Sequence, residues 1–163
     1  MQIADRTYNH PFQDKSIRVA VVTALFNEKI TRSLAHAAVS QLQQLGLQAE
    51  SIINIEVPGA WELPLAAKRV LAAGRVAAVI ACGCVIRGET GHYDIVANES
   101  ARGLMAVSLE LGAPVMNAVL TVENATQAEA RAEANATNKG AEAARSLAEL
   151  MNNLAAAGLA GKY

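Results

Sequence analysis

The chain has 163 residues, 52% of them hydrophobic and 18% charged, which suffices for one domain with its own core. A formal net charge of -1 and the lack of any Lys/Arg block leave neither a nucleic-acid footprint nor a polybasic membrane patch. No apolar run reaches the roughly 18 residues of a membrane span, and the start MQIADRTYNHPFQD lacks the basic and apolar regions of a signal peptide. The expectation is a cytoplasmic protein with no nucleic-acid and no membrane partner.

Residues 1–15 show no periodicity and contain Pro11, so they read as an arm. IRVAVVTAL, residues 17–25, is an apolar β-rich run, followed by Phe26 and by Asn27, whose side chain suits a helix cap. From about Glu28 the residues Ile30, Leu34, Ala37, Ala38, Leu42 and Leu45 recur at helical spacing, and Gly46 is a natural stop. Ile52 to Val57 reads as a second strand, broken by Pro58 and Gly59. A helix from Glu62 ends at Gly74, with Pro64 tolerable only in its first turn.

From Val76 an uninterrupted apolar run leads through Gly83 to Gly88, and Arg87, Glu89, Thr90, His92, Tyr93 and Asp94 crowd just beyond it. Such a run fits a parallel strand covered on both faces, which delivers polar groups at its carboxyl end. A third helix begins at Asp94 or Asn98 and stops at Leu111, before Gly112 and Pro114. VMNAVLTV, residues 115–122, is the last strand. Thr126 to Lys139 and Gly140 to Leu154 favour helix, with Asn135, Thr137, Asn138 and Gly140 interrupting the pattern, and the tail AAAGLAGKY is expected to fray. Strands alternating with helices indicate right-handed crossovers and a parallel sheet of about four strands. Alanine-heavy helices bury little area per residue, so a second chain covering exposed apolar surface is expected.

Gly83, Gly88, Glu89 and Thr90 approach the spacing of a nucleotide phosphate loop, but Glu89 stands where Lys is required. A carboxylate there repels a triphosphate, while a smaller phosphate could still bind free backbone N–H groups at a helix start, with Thr90 as a hydroxyl donor. Cys82 and Cys84, the two cysteines, stand two apart on a strand. Their side chains share a face but do not readily reach disulfide geometry, and two thiols alone make no zinc site. They read as small buried residues.

Three strand ends, at Phe26-Asn27, Gly59–Glu62 and Arg87–His92, should meet at the carboxyl edge of the sheet, with 121–124 following the fourth strand. Phe26 and Trp61 would supply aromatic walls for a flat heteroaromatic ligand, and His92 reads either as a proton shuttle or as a surface histidine in a turn. Arg87 reads as bracing the turn through Glu89 or Asp94. On residue type alone Arg131 is a solvated arginine and Lys139 marks a helix end.

FNEKI, VPGAWELP, GCVIRGETGHYDIVANES, VLTVEN and NKGAEAA, in this order, resemble the 6,7-dimethyl-8-ribityllumazine synthase family from about Ile17 to Leu154. The resemblance implies a flavodoxin-like α/β three-layer sandwich with a four-stranded parallel sheet in the order 2-1-3-4. It divides the chain into an arm over 1–15, a lumazine synthase domain over 16–154 and a tail over 155–163. It implies a homo-oligomer, a ring of five subunits from which a decamer or a 60-subunit shell can be built. The implied activity is that of a transferase of riboflavin biosynthesis: condensation of 5-amino-6-ribitylaminouracil with 3,4-dihydroxy-2-butanone 4-phosphate, without metal or organic cofactor. The product feeds riboflavin synthase.

By the same resemblance, Phe26 stacks on the pyrimidine, Ala60, Trp61 and Glu62 bind the ribityl chain, and Val85 and Ile86 meet the ring edge. Glu89 and Thr90 hold the phosphate, and His92 transfers protons. Arg131 binds the substrate phosphate and Lys139 lies near the pyrimidine, both from the neighbouring subunit, which overturns the reading of Arg131 as a solvated residue. One departure stands out: Asn117 occupies a position where many members carry an aromatic, which bears on the second wall of the pyrimidine pocket. Two rivals would be a carrier that binds lumazine or flavin and a shell protein with a vestigial site.

Overall fold

The computed structural model describes residues 9–161. Four strands, β1 (Val19–Ala24), β2 (Ile52–Val57), β3 (Ala78–Ile86) and β4 (Val115–Val122), form one parallel sheet in the order β2-β1-β3-β4. Five helices connect or follow them: α1 (Glu28–Gln44), α2 (Leu63–Ala72), α3 (His92–Leu111), α4 (Ala125–Arg131) and α5 (Lys139–Ala156). The fold is a flavodoxin-like three-layer sandwich, as the resemblance implied.

The strands alternate between two cores because successive strand side chains face opposite ways. On one face Val19 and Val21 of β1 and Ile80 of β3 pack with Leu34 and Leu42 of α1 and Leu147 of α5. On the other, Ala20, Val22, Val79 and Ala81 pack with Leu63 and Ala67 of α2 and Leu104 of α3. Each fully buried leucine of this kind contributes roughly 1.5–3 kcal/mol. Cys82 and Cys84 both belong to the first core and are free thiols, as their spacing predicted.

The strands β2 and β4 match their predicted spans, and β1 is shorter than the apolar run by two residues at its start and one at its end. Gly46 (φ 107°) and Gly112 (φ 60°) follow α1 and α3 in the left-handed region, where glycine pays no Cβ penalty. The expected helix over 126–139 is present only in its first half: α4 stops at Arg131 and a loop spans 132–138. Asn side chains there take over backbone partners, Thr137 N–H donating to Asn135 Oδ1 at 2.8 Å and Asn138 Nδ2 donating to Glu133 O at 2.9 Å. Such local bonds compete with helical ones. Past its predicted end, α5 continues to Ala156 and closes with Leu159 N–H donating to Leu154 O at 2.8 Å.

The described part of the arm lies against its own subunit. Phe12 is buried, its N–H donates to Leu45 O at 3.0 Å, and Asn152 of α5 donates to Pro11 O while accepting from Gln13 N–H. Residues 1–8 of the arm and 162–163 of the tail lie outside the described residues.

Candidate active site

Beyond the carboxyl ends of β1, β2 and β3 a cavity of about 320 Å³ opens, lined on these three sides by Phe26 and Asn27, by Gly59, Ala60 and Trp61, and by Val85 and Ile86. Thr90, His92 and Tyr93 close it at the start of α3. The three expected strand ends therefore meet, whereas residues 123–124 after β4 do not line this cavity. A parallel sheet brings these loops together because every strand ends at the same edge.

Phe26 is 74% exposed and Trp61 56% exposed, so two aromatic faces stand in water at the cavity mouth. Exposed rings at a concave site are available for stacking on a flat ligand. Glu62 lies next to this wall without lining it; its carboxylate accepts the Gly59 N–H at 2.9 Å and braces the turn that carries Ala60 and Trp61. Glu89 is exposed and also lies outside the lining.

His92 is the first residue of α3, and its backbone N–H points to the Thr90 hydroxyl at 3.4 Å. The helix begins two residues earlier than the earliest predicted start, which puts the imidazole on its first turn beside the free N–H groups there. An anion at this point meets the positive end of the helix. Arg87 does not serve it: its guanidinium pairs with Glu123 at 2.9 Å and Asp94 at 3.2 Å and lies over the Tyr93 ring at 4.1 Å from the centroid. The hydrogen bond to Asp94 is the foremost of the contacts that raise the Arg87 pKa above its ordinary value. Of the two partners predicted for Arg87, Asp94 holds and Glu89 does not, and Glu123 is a further one.

Arg131, Lys139 and Asn117 are not in this cavity. They line a second one of about 360 Å³ along the outer side of β4, together with Thr121 and Glu142. Lys139 opens α5 and its Nζ pairs with Glu142 at 2.7 Å, while Arg131 closes α4 and donates to Gln127 O at 2.9 Å. Asn117 is exposed, and its Oδ1 accepts the Val119 N–H at 2.9 Å. The two cavities share no lining residue. The sequence-predicted residues thus fall into two groups, one at each cavity, with Glu62 and Glu89 lining neither.

One residue of the cavity lining was misread from sequence. Asn27 lines the first cavity and is in the left-handed region (φ 61°), and its side chain makes no cap bond to α1. It donates instead from Nδ2 to Cys84 O at 2.8 Å. Its partner lies 57 residues away, beyond the reach of any local spacing rule.

Fold and cavity define a flavodoxin-like α/β protein with an aromatic-walled cavity at the carboxyl edge of its sheet. A family model for 6,7-dimethyl-8-ribityllumazine synthase matches residues 16–155. The chain is 44% identical over 145 residues to the 6,7-dimethyl-8-ribityllumazine synthase of Xanthomonas campestris pv. campestris (strain B100), covering 89% of this chain and 94% of the relative. It is 43% identical over 145 residues to that of Paraburkholderia phymatum (89% and 82% covered) and 47% identical over 140 residues to that of Stenotrophomonas maltophilia (strain R551-3; 86% and 90% covered). The chain belongs to the 6,7-dimethyl-8-ribityllumazine synthase family.

Proposed function

We propose that this protein condenses 5-amino-6-ribitylaminouracil with 3,4-dihydroxy-2-butanone 4-phosphate to 6,7-dimethyl-8-ribityllumazine in the cytoplasm, as a step of riboflavin biosynthesis. The observation that carries the reading is the gathering of Phe26, Trp61, Val85, Ile86, Thr90 and His92 around one cavity at the sheet edge. The uracil ring stacks on Phe26, the ribityl chain runs along Ala60, Trp61 and the turn braced by Glu62, and the phosphate lies at Glu89-Thr90 and the first turn of α3.

In the reaction, the amine attacks the ketone and an imine forms with loss of one water. Phosphate then leaves by elimination, and the second nitrogen closes the ring with loss of a second water. Every step moves a proton, which the His92 imidazole can accept and return. No nucleophilic side chain is required. Joining two reactants in one cavity removes much of the entropic barrier, so positioning carries most of the acceleration.

The departing phosphate calls for a cation, and this cavity has no Lys or Arg among its lining residues. Arg131 and Lys139, on the other half-site, meet that need if the β4 side of one subunit closes the cavity of the next. A homo-oligomer is the consequence, and a ring of five is the form the family resemblance favours. Ile95, Met105 and Leu109 of α3 support an oligomer: each is more than half exposed, and their spacing puts them on one stripe of the helix.

The test is lumazine formation followed by absorbance and fluorescence after mixing the purified protein with both substrates, against a control without protein. A rate above control is expected. A rate equal to control with tight lumazine binding would replace the synthase by a carrier.

A further inference from the structure

The corner that carries Phe26 is held by main-chain and amide hydrogen bonds, because a ring 74% exposed has little packing to hold it. On the β2 side, Leu25 N–H donates to Val57 O at 2.8 Å and Phe26 N–H to Pro58 O at 3.0 Å. On the β3 side, the pairing of β1 ends at Thr23 with Cys82, three residues before Phe26. There the single bond from Asn27 Nδ2 to Cys84 O, 2.8 Å long, takes over where the ladder stops.

Asn27 is the non-glycine residue with positive φ among the described residues, at 61°. Its own carbonyl accepts the N–H groups of Ile30 and Thr31, so the start of α1 hangs on the same residue. A left-handed asparagine is tolerated because its short amide can bond locally, and here the amide bridges two strands instead. From this geometry we infer that Asn27 is a positioning residue, which fixes the Phe26 ring against the β3 wall of Val85 and Ile86 and so sets the width of the slot for the flat heterocycle. The inference rests on the synthase reading only for the identity of that heterocycle.

Two substitutions keep the backbone and remove the bond. Asn27→Gly accepts the left-handed conformation freely, and Asn27→Asp tolerates it while placing an acceptor against the Cys84 carbonyl. Steady-state kinetics with both substrates and titration with the lumazine product are the readouts. In Asn27→Gly the KM for the aminouracil and the Kd for lumazine should each rise about 2- to 10-fold, the change to which a hydrogen bond of typical net strength converts. Asn27→Asp should exceed this, and the KM for the butanone phosphate should stay at the wild-type value in both. A loss confined to kcat or to thermal stability, or an equal rise in both KM values, would make Asn27 merely structural and overturn the inference. Should Asn27→Asp not fold, Asn27→Gly alone decides. A wild-type protein without turnover would refute the synthase reading separately, and the lumazine titration would still judge Asn27.

Discussion

A Cβ placed on Gly140 would stand 1.9 Å from the carbonyl oxygen of Leu34. The first turn of α5 therefore rests on the backbone of α1, and the neighbouring Asn138 is buried with its Oδ1 accepting the Gly140 N–H at 2.8 Å. Lys139 is caught between these two residues, which fixes the start of its side chain at the second cavity. Backbone cannot yield as a flexible side chain does, so Gly140→Ala should cost about 3 kcal/mol or more, the upper end of overpacking penalties. Denaturant unfolding measures this. A midpoint shift no larger than that of an exposed Ala substitution would mean that α5 can slide away from α1 at no cost.

The two buried thiols set an alkaline limit. Burial alone pushes Cys82 from 9.0 up to about 12 and Cys84 up to about 11. Each pKa is higher in the folded state than in the unfolded one, so above pH 9 the unfolded chain loses these protons while the folded chain keeps them. Their stabilisation is complete below pH 9 and falls as the pH rises through about 11 and 12. The paired variant Cys82→Ala, Cys84→Ala should lose less stability between pH 8 and pH 10.5 than the parent, in denaturant melts at about those two values. Equal losses would show that the thiols do not set the slope.

The strands were legible because apolar runs bounded by glycine and proline have one main physical use in an alternating pattern. The central run from Val76 and the spans of β2 and β4 came from that rule, as did the shared face of Cys82 and Cys84. The helix start at His92 was placed late because its first residues are polar and carry no apolar stripe. The stretch 132–138 was read as helix, interrupted at Asn135, Thr137 and Asn138, because alanine and glutamate favour helix, and the bonds of Asn135 and Asn138 that end it are local ones, whose outcome against helical bonding residue types alone do not decide. The meeting of Phe26, Trp61 and His92 at one cavity was legible from strand ends alone. Arg131 and Lys139 were not, since an arginine at one helix end and a lysine at another look like solvated residues, and only the resemblance linked them to chemistry.

Under the synthase reading His92 relays protons and contributes at most the roughly 10²- to 10⁴-fold typical of general acid–base catalysis. His92→Ala should therefore slow kcat without removing turnover above the protein-free control, and should leave lumazine binding near its wild-type value. Complete loss with normal product binding would put chemistry, and not positioning, in command of the rate.

Arg131→Ala should mainly raise the KM for the butanone phosphate, because the interaction it loses is with the phosphate group. The separation of the two cavities allows a sharper test. Co-expressed His92→Ala and Arg131→Ala subunits should regain activity that neither has alone at subsaturating phosphate substrate. At equal random mixing, about a quarter of the interfaces unite an intact His92 with an intact Arg131 of the neighbour, so roughly a quarter of wild-type activity is expected. Activity equal to the mean of the two variants would place both residues in one subunit's site.

Asn117 stands on β4 opposite Ala81, exposed, in the cavity that also holds Arg131 and Lys139. If that half-site closes over the heterocycle of the neighbouring subunit, the ring meets a carboxamide there. Because the Asn117 Oδ1 is engaged by the Val119 N–H, the free Nδ2 is the group left to meet the ligand. A carboxamide offers little stacking surface compared with an aromatic ring. Asn117→Phe should lower the Kd for lumazine about 2- to 10-fold, the range to which an added aromatic contact of ~0.5–1.5 kcal/mol converts. The loss of the Val119 bond opposes this only weakly, since that N–H lies on an exposed strand edge where water can replace the side chain. The KM for the butanone phosphate should not change, because Arg131 is untouched. Fluorescence titration with lumazine decides the matter: an unaltered Kd would remove Asn117 from the ligand wall, and a weaker one would show that its free amide donates to the heterocycle edge.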